Sequence, residues 1–307
     1  MDCFRDLSKD LATDMDRRAF ITGAGALLLA GCTSRDRRVS IGTKNFTEQL
    51  ILGEMLAQMI ERRTQLPVER RFYLAGTYIC QQAILAGRID MYVEYTGTAL
   101  TAILKQPPQS ERTKVFEAVK QLYQNRFGLA VLPSLGFDNS FAMVMRSDEA
   151  KQNNLRTLSD LAAVAPRMRM GVGYEFLERP DGYKGLVATY GLHFAEAPRV
   201  MDLGLLYRAL QAKQVDIVAG SNTDGLIAAL GLVVLQDDKH YFPPYEAVPI
   251  VRPDALEKHP PVLTALNALT GKLSAEDMRY LNYAVDGEKK DARQVVTEFL
   301  THRGLLT

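Results

Sequence analysis

Asp90-Met91-Tyr92-Val93-Glu94-Tyr95-Thr96-Gly97-Thr98 is the stretch whose reading decides the fold. Tyr92, Val93 and Tyr95 favour a pleated backbone, Gly97 interrupts it, and an apolar helical run from Ala99 to Leu104 follows at once. The stretch reads as a strand that runs straight into the N-terminus of a helix. Such a junction presents backbone N–H groups without helical partners, and the Thr96 and Thr98 hydroxyls add donors. Tyr95 sets an aromatic face beside them. An aromatic face for a cation next to donors for an anion suits a zwitterion. A plain strand-turn-helix with a core tyrosine has the same local features, so the surrounding chain must decide.

Upstream, Val39 to Thr43 alternates as a first strand, and Lys44-Asn45-Phe46 is a loop. Thr47 can cap a helix in which Leu52, Met55, Leu56, Met59 and Ile60 recur at helical spacing. Pro67 to Tyr73 is a second strand, Thr77 to Ala86 a helix closed by Gly87, and Asp90 to Tyr95 the third strand. This alternation predicts an α/β fold with a parallel sheet and helices on both faces. Ligands of such sheets sit beyond the carboxyl ends of the strands. Lys44 and Tyr95 both lie just past strand ends and so share one crevice.

Downstream, Glu111 to Asn125 is an amphipathic helix, Leu129 to Leu132 a short strand, and Asn139 to Met145 an extended run into new material. A second alternating set opens at Met168 to Val172 and continues through Val215 to Ala219 and Leu232 to Leu235. Phe242-Pro243-Pro244-Tyr245 is a rigid connector, Ala247 to Val251 is extended again, and only helices follow. A chain that leaves the first sheet near residue 141 and returns near 246 makes two lobes. These are residues 39–141 with 246–307, and residues 142–245, joined by two crossing strands. That geometry permits hinge closure over a ligand.

The N-terminus reads as an export signal over residues 1–31. Arg17-Arg18 precedes a short apolar run from Ala24 to Ala30, and Gly31-Cys32 follows. Leu29-Ala30-Gly31-Cys32 resembles a bacterial lipobox, which makes Cys32 the lipidated first residue of the mature protein and residues 32–38 a polar tether. The twin arginine leaves both the twin-arginine and the general secretion routes open, and either Met1 or Met15 can be the start. The expected location is the periplasm or the outer face of the cytoplasmic membrane. The 307 residues carry a net charge of +1, which gives no argument for nucleic acid. With no Trp but 13 Tyr and 12 Phe, any aromatic site is built from Tyr and Phe.

Taken together, Thr43 to Gln49, Asp90 to Thr98, Asn139 to Ala142, Glu175 to Gly182, Asn222 to Gly225 and Phe242 to Tyr245 resemble, in order, the substrate-binding proteins of osmoprotectant ABC importers, of the OpuC/ProX type that take glycine betaine, choline and carnitine. The resemblance covers nearly all of Val39 to Leu305. It implies the two-lobed type II periplasmic binding protein fold, an ABC permease as partner and no cofactor. It also implies a cage of rings for a quaternary ammonium, here Tyr95, Phe141 and Tyr245, held by cation–π attraction. Lys44, Thr98 and Arg179 would then grip the carboxylate. Phe141 stands where members often have Tyr, and Ser221 where they often have another cage Tyr. Ser221 would enlarge the pocket for a bulkier ligand such as carnitine or an ergothioneine-like betaine, unless Tyr174 or Tyr92 supplies the ring. Asp224 and Asn139 support hinge and loop backbone, and Glu94 is either the partner of a cation or a surface charge.

Other classes find little. The histidines at 193, 240, 259 and 302 have no metal-ligand spacing, so neither metal nor catalysis is expected. Gly171-Val172-Gly173 starts a dinucleotide fingerprint that Phe176 breaks. A receptor that reports ligand to a signalling partner is the alternative to an importer component.

Overall fold

The strand that opens the chain's first sheet is buried along its whole length, its polar residues Ser40, Thr43 and Lys44 included, as a strand covered on both faces must be. The computed structural model describes residues 38–306, so the expected signal segment 1–31, Cys32 and nearly all of the tether lie outside the described residues. The first sheet contains β1 (Val39–Lys44), β2 (Val68–Ala75), β3 (Met91–Tyr95) and β4 (Ala130–Val131). The second contains β5 (Phe141–Arg146), β6 (Met170–Val172), β7 (Arg199–Val200), β8 (Ile217–Ser221) and β9 (Leu232–Leu235). The last strand, β10 (Ala247–Val251), returns to the first sheet between β3 and β4. The orders are β2-β1-β3-β10-β4 and β7-β6-β8-β5-β9.

The sheets are mixed where the alternation predicted parallel ones. β1 pairs in parallel with β2 and β3, and β6 with β7 and β8. β5 and β10, the strands that arrive from the other sheet, run antiparallel to their neighbours. A strand without a crossover helix before it is not bound to enter in parallel.

The helices that position the site are α1 (Thr47–Thr64), α2 (Thr77–Leu85), α3 (Arg112–Phe127), α4 (Tyr174–Glu178) and, near the C-terminus, α5 (Ala275–Asp286). Thr47 does not cap α1; its hydroxyl donates to Asp286 Oδ1 at 2.6 Å, on α5. Ser274 does cap α5, in a reciprocal box with Asp277. Side chains of β3 alternate between two cores. Met91, Val93 and Tyr95 pack with α1, whereas Tyr92 packs with Cys80, Ile84 and Tyr123 on the other face.

The two connections between the sheets lie side by side. Asp138 and Glu246 form an antiparallel bridge, the Asn139 N–H donates to the Tyr245 carbonyl at 3.0 Å, and the Tyr245 N–H donates to Asp138 at 2.6 Å. The junction after β3 is tied to the same place. The Thr96 N–H donates to the Glu246 carbonyl and the Thr96 hydroxyl to the Pro244 carbonyl. The donors expected to be free at Thr96 are therefore engaged in holding β3 against residues 244–246. A helical turn, Thr96–Thr98, and a π-helical turn, Ala99–Ile103, continue the chain.

Candidate functional site

Two buried cations, each facing aromatic rings and each matched to a carboxylate, lie where the elements of the two sheets meet. The first is Arg179, just after α4. Its guanidinium carbon lies 4.9 Å from the Phe141 ring centroid and 5.7 Å from that of Tyr245, within cation–π range. Arg179 Nε and Nη2 donate to the two oxygens of Asp181 at 2.9 and 2.5 Å, the side-on fork that a guanidinium makes with a carboxylate. Arg179 Nη1 donates to Thr98 Oγ1 at 2.8 Å, reaching the helical turn after β3. The Tyr245 hydroxyl donates to Asp181 Oδ2 at 2.6 Å. Burial alone pushes the Asp181 carboxyl up; the Arg179 charge and hydrogen bonds outweigh it and hold the group below the usual carboxylate range.

Phe141 belongs to a larger ring cluster. It meets Phe176 edge-on at 4.9 Å, Phe242 at 5.6 Å and Tyr245 edge-on at 5.7 Å. Ser221 sits directly opposite Phe141 in the β5–β8 ladder. Its N–H donates to Asp224 at 2.9 Å and its hydroxyl lies 3.3 Å from that of Thr223.

The second cation is Lys44, at the end of β1. Its ammonium pairs with Glu94 and lies 5.0 Å from the Tyr95 ring centroid. Glu94 is fully buried, so it is the partner of a cation and not a surface charge. The Tyr95 hydroxyl donates to Glu48 at 2.6 Å, and its ring stacks on Phe46 at 6.5 Å. Burial, followed by the Glu48 charge, pushes the Tyr95 phenol well above its usual range.

Glycines stand at two points of close approach between the halves. A Cβ on Gly97 would lie 2.7 Å from both the Pro244 carbonyl oxygen and Tyr245 Cδ1, so only Gly lets the turn after β3 rest on that ring. A Cβ on Gly76 would collide with the Glu175 carboxylate, which accepts the Thr77 N–H at 2.5 Å. Glu175, on α4, thereby caps the N-terminus of α2 from the other sheet, where a carboxylate is favoured.

Of the residues expected from sequence, Thr98, Phe141, Arg179 and Tyr245 come together directly, with Ser221 beside Phe141. Lys44 and Tyr95 form a pair of their own. Neither proposed replacement ring joins them. Tyr92 lies on the opposite face of β3, with its hydroxyl on Gln81 at 3.0 Å, and Tyr174 is 62% exposed. Phe176 and Phe242 supply extra rings instead. Asp181, Glu48 and Glu175 were not singled out from sequence, although each lies in or beside the quoted segments. An acid in a first helical turn or next to Pro-Asp-Gly reads as solvent-facing. Among the described residues no cluster of His, Cys, Asp and Glu could hold a metal ion, and no helix is long and apolar enough to cross a membrane.

Residues 37–302 match the family model described as the substrate binding domain of ABC-type glycine betaine transport systems. The carnitine transport binding protein OpuCC of Listeria monocytogenes is 38% identical over 88% of this chain and 88% of its own length. The ergothioneine transport permease/ergothioneine binding protein EgtU of Helicobacter pylori is 34% identical over 93% of this chain, which spans 51% of that protein. A crystal structure of a glycine betaine/carnitine/choline ABC transporter protein superposes with a TM-score of 0.73 at 35% identity, covering 88% of this chain and all of the other.

Proposed function

We propose that this chain, which belongs to the family of substrate-binding domains of ABC-type glycine betaine transport systems, captures a small quaternary-ammonium zwitterion and hands it to an ABC permease. The observation that carries this reading is the pairing of each ring-facing cation with a buried carboxylate. Both buried cations already have carboxylate partners, so a ligand without net charge adds none to a desolvated site. Burying an unpaired charge would be costly. A methylated ammonium has no N–H to donate, so ring faces suit it better than acceptors do.

In this reading Tyr95, Phe141 and Tyr245 take the ammonium, with Ser221 leaving room beside Phe141. Lys44, Thr98 and Arg179 take the carboxylate. A guanidinium has five N–H donors; Asp181 and Thr98 engage one on each of the three nitrogens, and the remaining two can grip the ligand. Residues 39–141 with 246–307 form one lobe and residues 142–245 the other. The paired connections at Asp138–Asn139 and Tyr245–Glu246 act as the hinge, and ligand contacts from both lobes favour the closed form. The function is capture and release, not catalysis.

A bulkier betaine is the second reading. Ser221 gives the space, and the kinship with an ergothioneine-binding protein supports it. Calorimetric titration with glycine betaine, carnitine, choline and ergothioneine tests both. Binding of at least one zwitterion is expected, with a larger one tighter than glycine betaine. Tight glycine betaine with no larger ligand bound would sink the enlarged pocket, and no binding of any methylated amine would sink the whole reading. Export and a lipid on Cys32, on the outer face of the membrane, complete the proposal. Cys32→Ser is expected to move the protein from the membrane to the soluble fraction.

A further inference from the structure

We propose that Glu48 is a positioning residue: its carboxylate fixes the Tyr95 ring and ties it to Thr223, in the loop after β8. This rests on the reading that Tyr95 belongs to the binding site. Glu48 lies in the first turn of α1 and is 3% exposed. An acid there normally faces solvent and complements the helix dipole. Here it points inward, and every hydrogen bond it accepts comes from a neutral donor. Its Oε1 accepts from the Tyr95 hydroxyl and from Asn139 Nδ2, both at 2.6 Å. Its Oε2 accepts from Asn282 Nδ2 at 3.2 Å, and the same amide donates to the Thr223 carbonyl at 2.9 Å.

Four separate elements thus converge on one carboxylate: β3 through Tyr95, the connection between sheets through Asn139, α5 through Asn282, and the loop after β8 through Thr223. Burial without a cation is unfavourable and pushes the Glu48 carboxyl up, while these hydrogen bonds pull it back. A side chain that merely filled space would not need a carboxylate at this cost. One oxygen holds the ring of the site, and the other senses, through Asn282, whether the second sheet is docked. Tyr95 is therefore fully seated only when the Thr223 loop is in place.

The test is a double-mutant cycle on affinity for glycine betaine and for carnitine, measured by calorimetry on the purified chain. Tyr95→Phe keeps the ring and removes the hydroxyl that Glu48 holds, so a loss of about 3- to 10-fold is expected. Glu48→Ala is expected to lose at least as much. Glu48→Gln, which keeps an acceptor for the hydroxyl, is expected to recover most of it. The double variant Glu48→Ala/Tyr95→Phe should bind no more weakly than Glu48→Ala alone, because both remove the same contact. If the two losses multiply instead, or if Gln is as damaging as Ala, Glu48 does not act through Tyr95 and the proposal is overturned. Should Glu48→Ala fail to fold by thermal unfolding, the near-isosteric Glu48→Leu, which offers the hydroxyl no acceptor, takes its place alone and with Tyr95→Phe. There a double loss no greater than that of Glu48→Leu alone supports the proposal, and a multiplied loss overturns it. A wild-type chain that binds neither probe nor any other methylated amine overturns the assignment of the site itself, a result the cycle cannot mimic.

Discussion

The two cation–ring pairs look alike but are built differently. Lys44, Tyr95, Glu94 and Glu48 all come from β1, β3 and α1, elements of one sheet and its covering helix. The Arg179 group draws on four places: Thr98 after β3, Phe141 on β5, residues 176–181 around the end of α4, and Phe242 to Tyr245 on the returning connection. The first group draws its cation, ring and carboxylates from one half and reaches the other only through the Asn282 amide that links Glu48 to the Thr223 carbonyl. The second is complete only when both halves meet. On the proposed reading, the first group is the wall that receives the ligand and the second the wall that assembles on closure.

The largest expected effect separates the two groups by removing the carboxylate from each. Asp181→Ala strands a buried guanidinium that cannot shed its proton, and should cost about 3–5 kcal/mol of stability. Glu94→Ala strands the Lys44 ammonium, a compact charge on a flexible stem that can turn to other acceptors, so its cost should be smaller. Urea unfolding of the two variants measures the difference. Equal losses would mean that the Arg179 group is held by its rings and not by its ion pair.

Next comes ligand selectivity. Arg179→Ala should weaken zwitterions by roughly 10-fold or more, the worth of hydrogen bonds to a charged group. Choline, which has no carboxylate, should suffer much less. Equal losses for carnitine and choline, read by calorimetry, would take Arg179 out of the anion contacts and leave it as a strut between halves.

Stability of the half that carries Ser221 should also respond to pH. Asp224 is buried beside the Tyr207 hydroxyl at 2.5 Å and the Ser221 N–H at 2.9 Å. Burial, which outweighs those hydrogen bonds, pushes its carboxyl up to about 7. The sign follows from the proton count. Between the ordinary Asp value and about 7 the folded chain holds a proton that the unfolded chain has lost. Its stabilisation is therefore full below about pH 4 and is lost as pH rises through about 7. A fall on the order of 2 kcal/mol is expected between about pH 5 and pH 7, at 1.36 kcal/mol per pH unit for one proton. Asp224→Asn keeps an acceptor and should flatten the profile in differential scanning calorimetry. Parallel profiles would show that this half tolerates the charge.

Much of this was legible in the chain before folding. β9 and β10 run over the residues expected, because short apolar runs between turn signals leave little choice. Strand direction was not legible for β5 and β10, since periodicity says which face is buried and nothing about which neighbour a returning strand finds. That Thr98, Phe141, Arg179 and Tyr245 lie together was readable from the ordered segments that hold them. The roles of Glu48 and Asp181 were not readable, because a buried acid looks like a solvated one: the partner Asn282 is 234 residues from Glu48, and Asp181, though two residues from Arg179, is met by Tyr245 from 64 residues away. Tyr92 is a different case. Strand alternation already puts residues three apart on opposite faces, and that signal excludes it from the side where Tyr95 lies.

The smallest effect distinguishes ring from hydroxyl at Tyr245. If the ligand's ammonium sits desolvated on this ring, Tyr245→Ala should weaken binding by about 1–2 kcal/mol. Tyr245→Phe keeps the π face and loses only the hydrogen bond to Asp181, so its affinity should stay nearer the wild type while its stability drops by about 1 kcal/mol. The two variants thus divide the residue into a part that faces ligand and a part that holds Asp181 for Arg179. If Phe and Ala weaken binding equally, the ring is not a wall of the site and the phenol matters only as a brace. The cation would then rest on the Tyr95 side alone, and the half of the molecule that assembles on closure would contribute the anion contacts and nothing else.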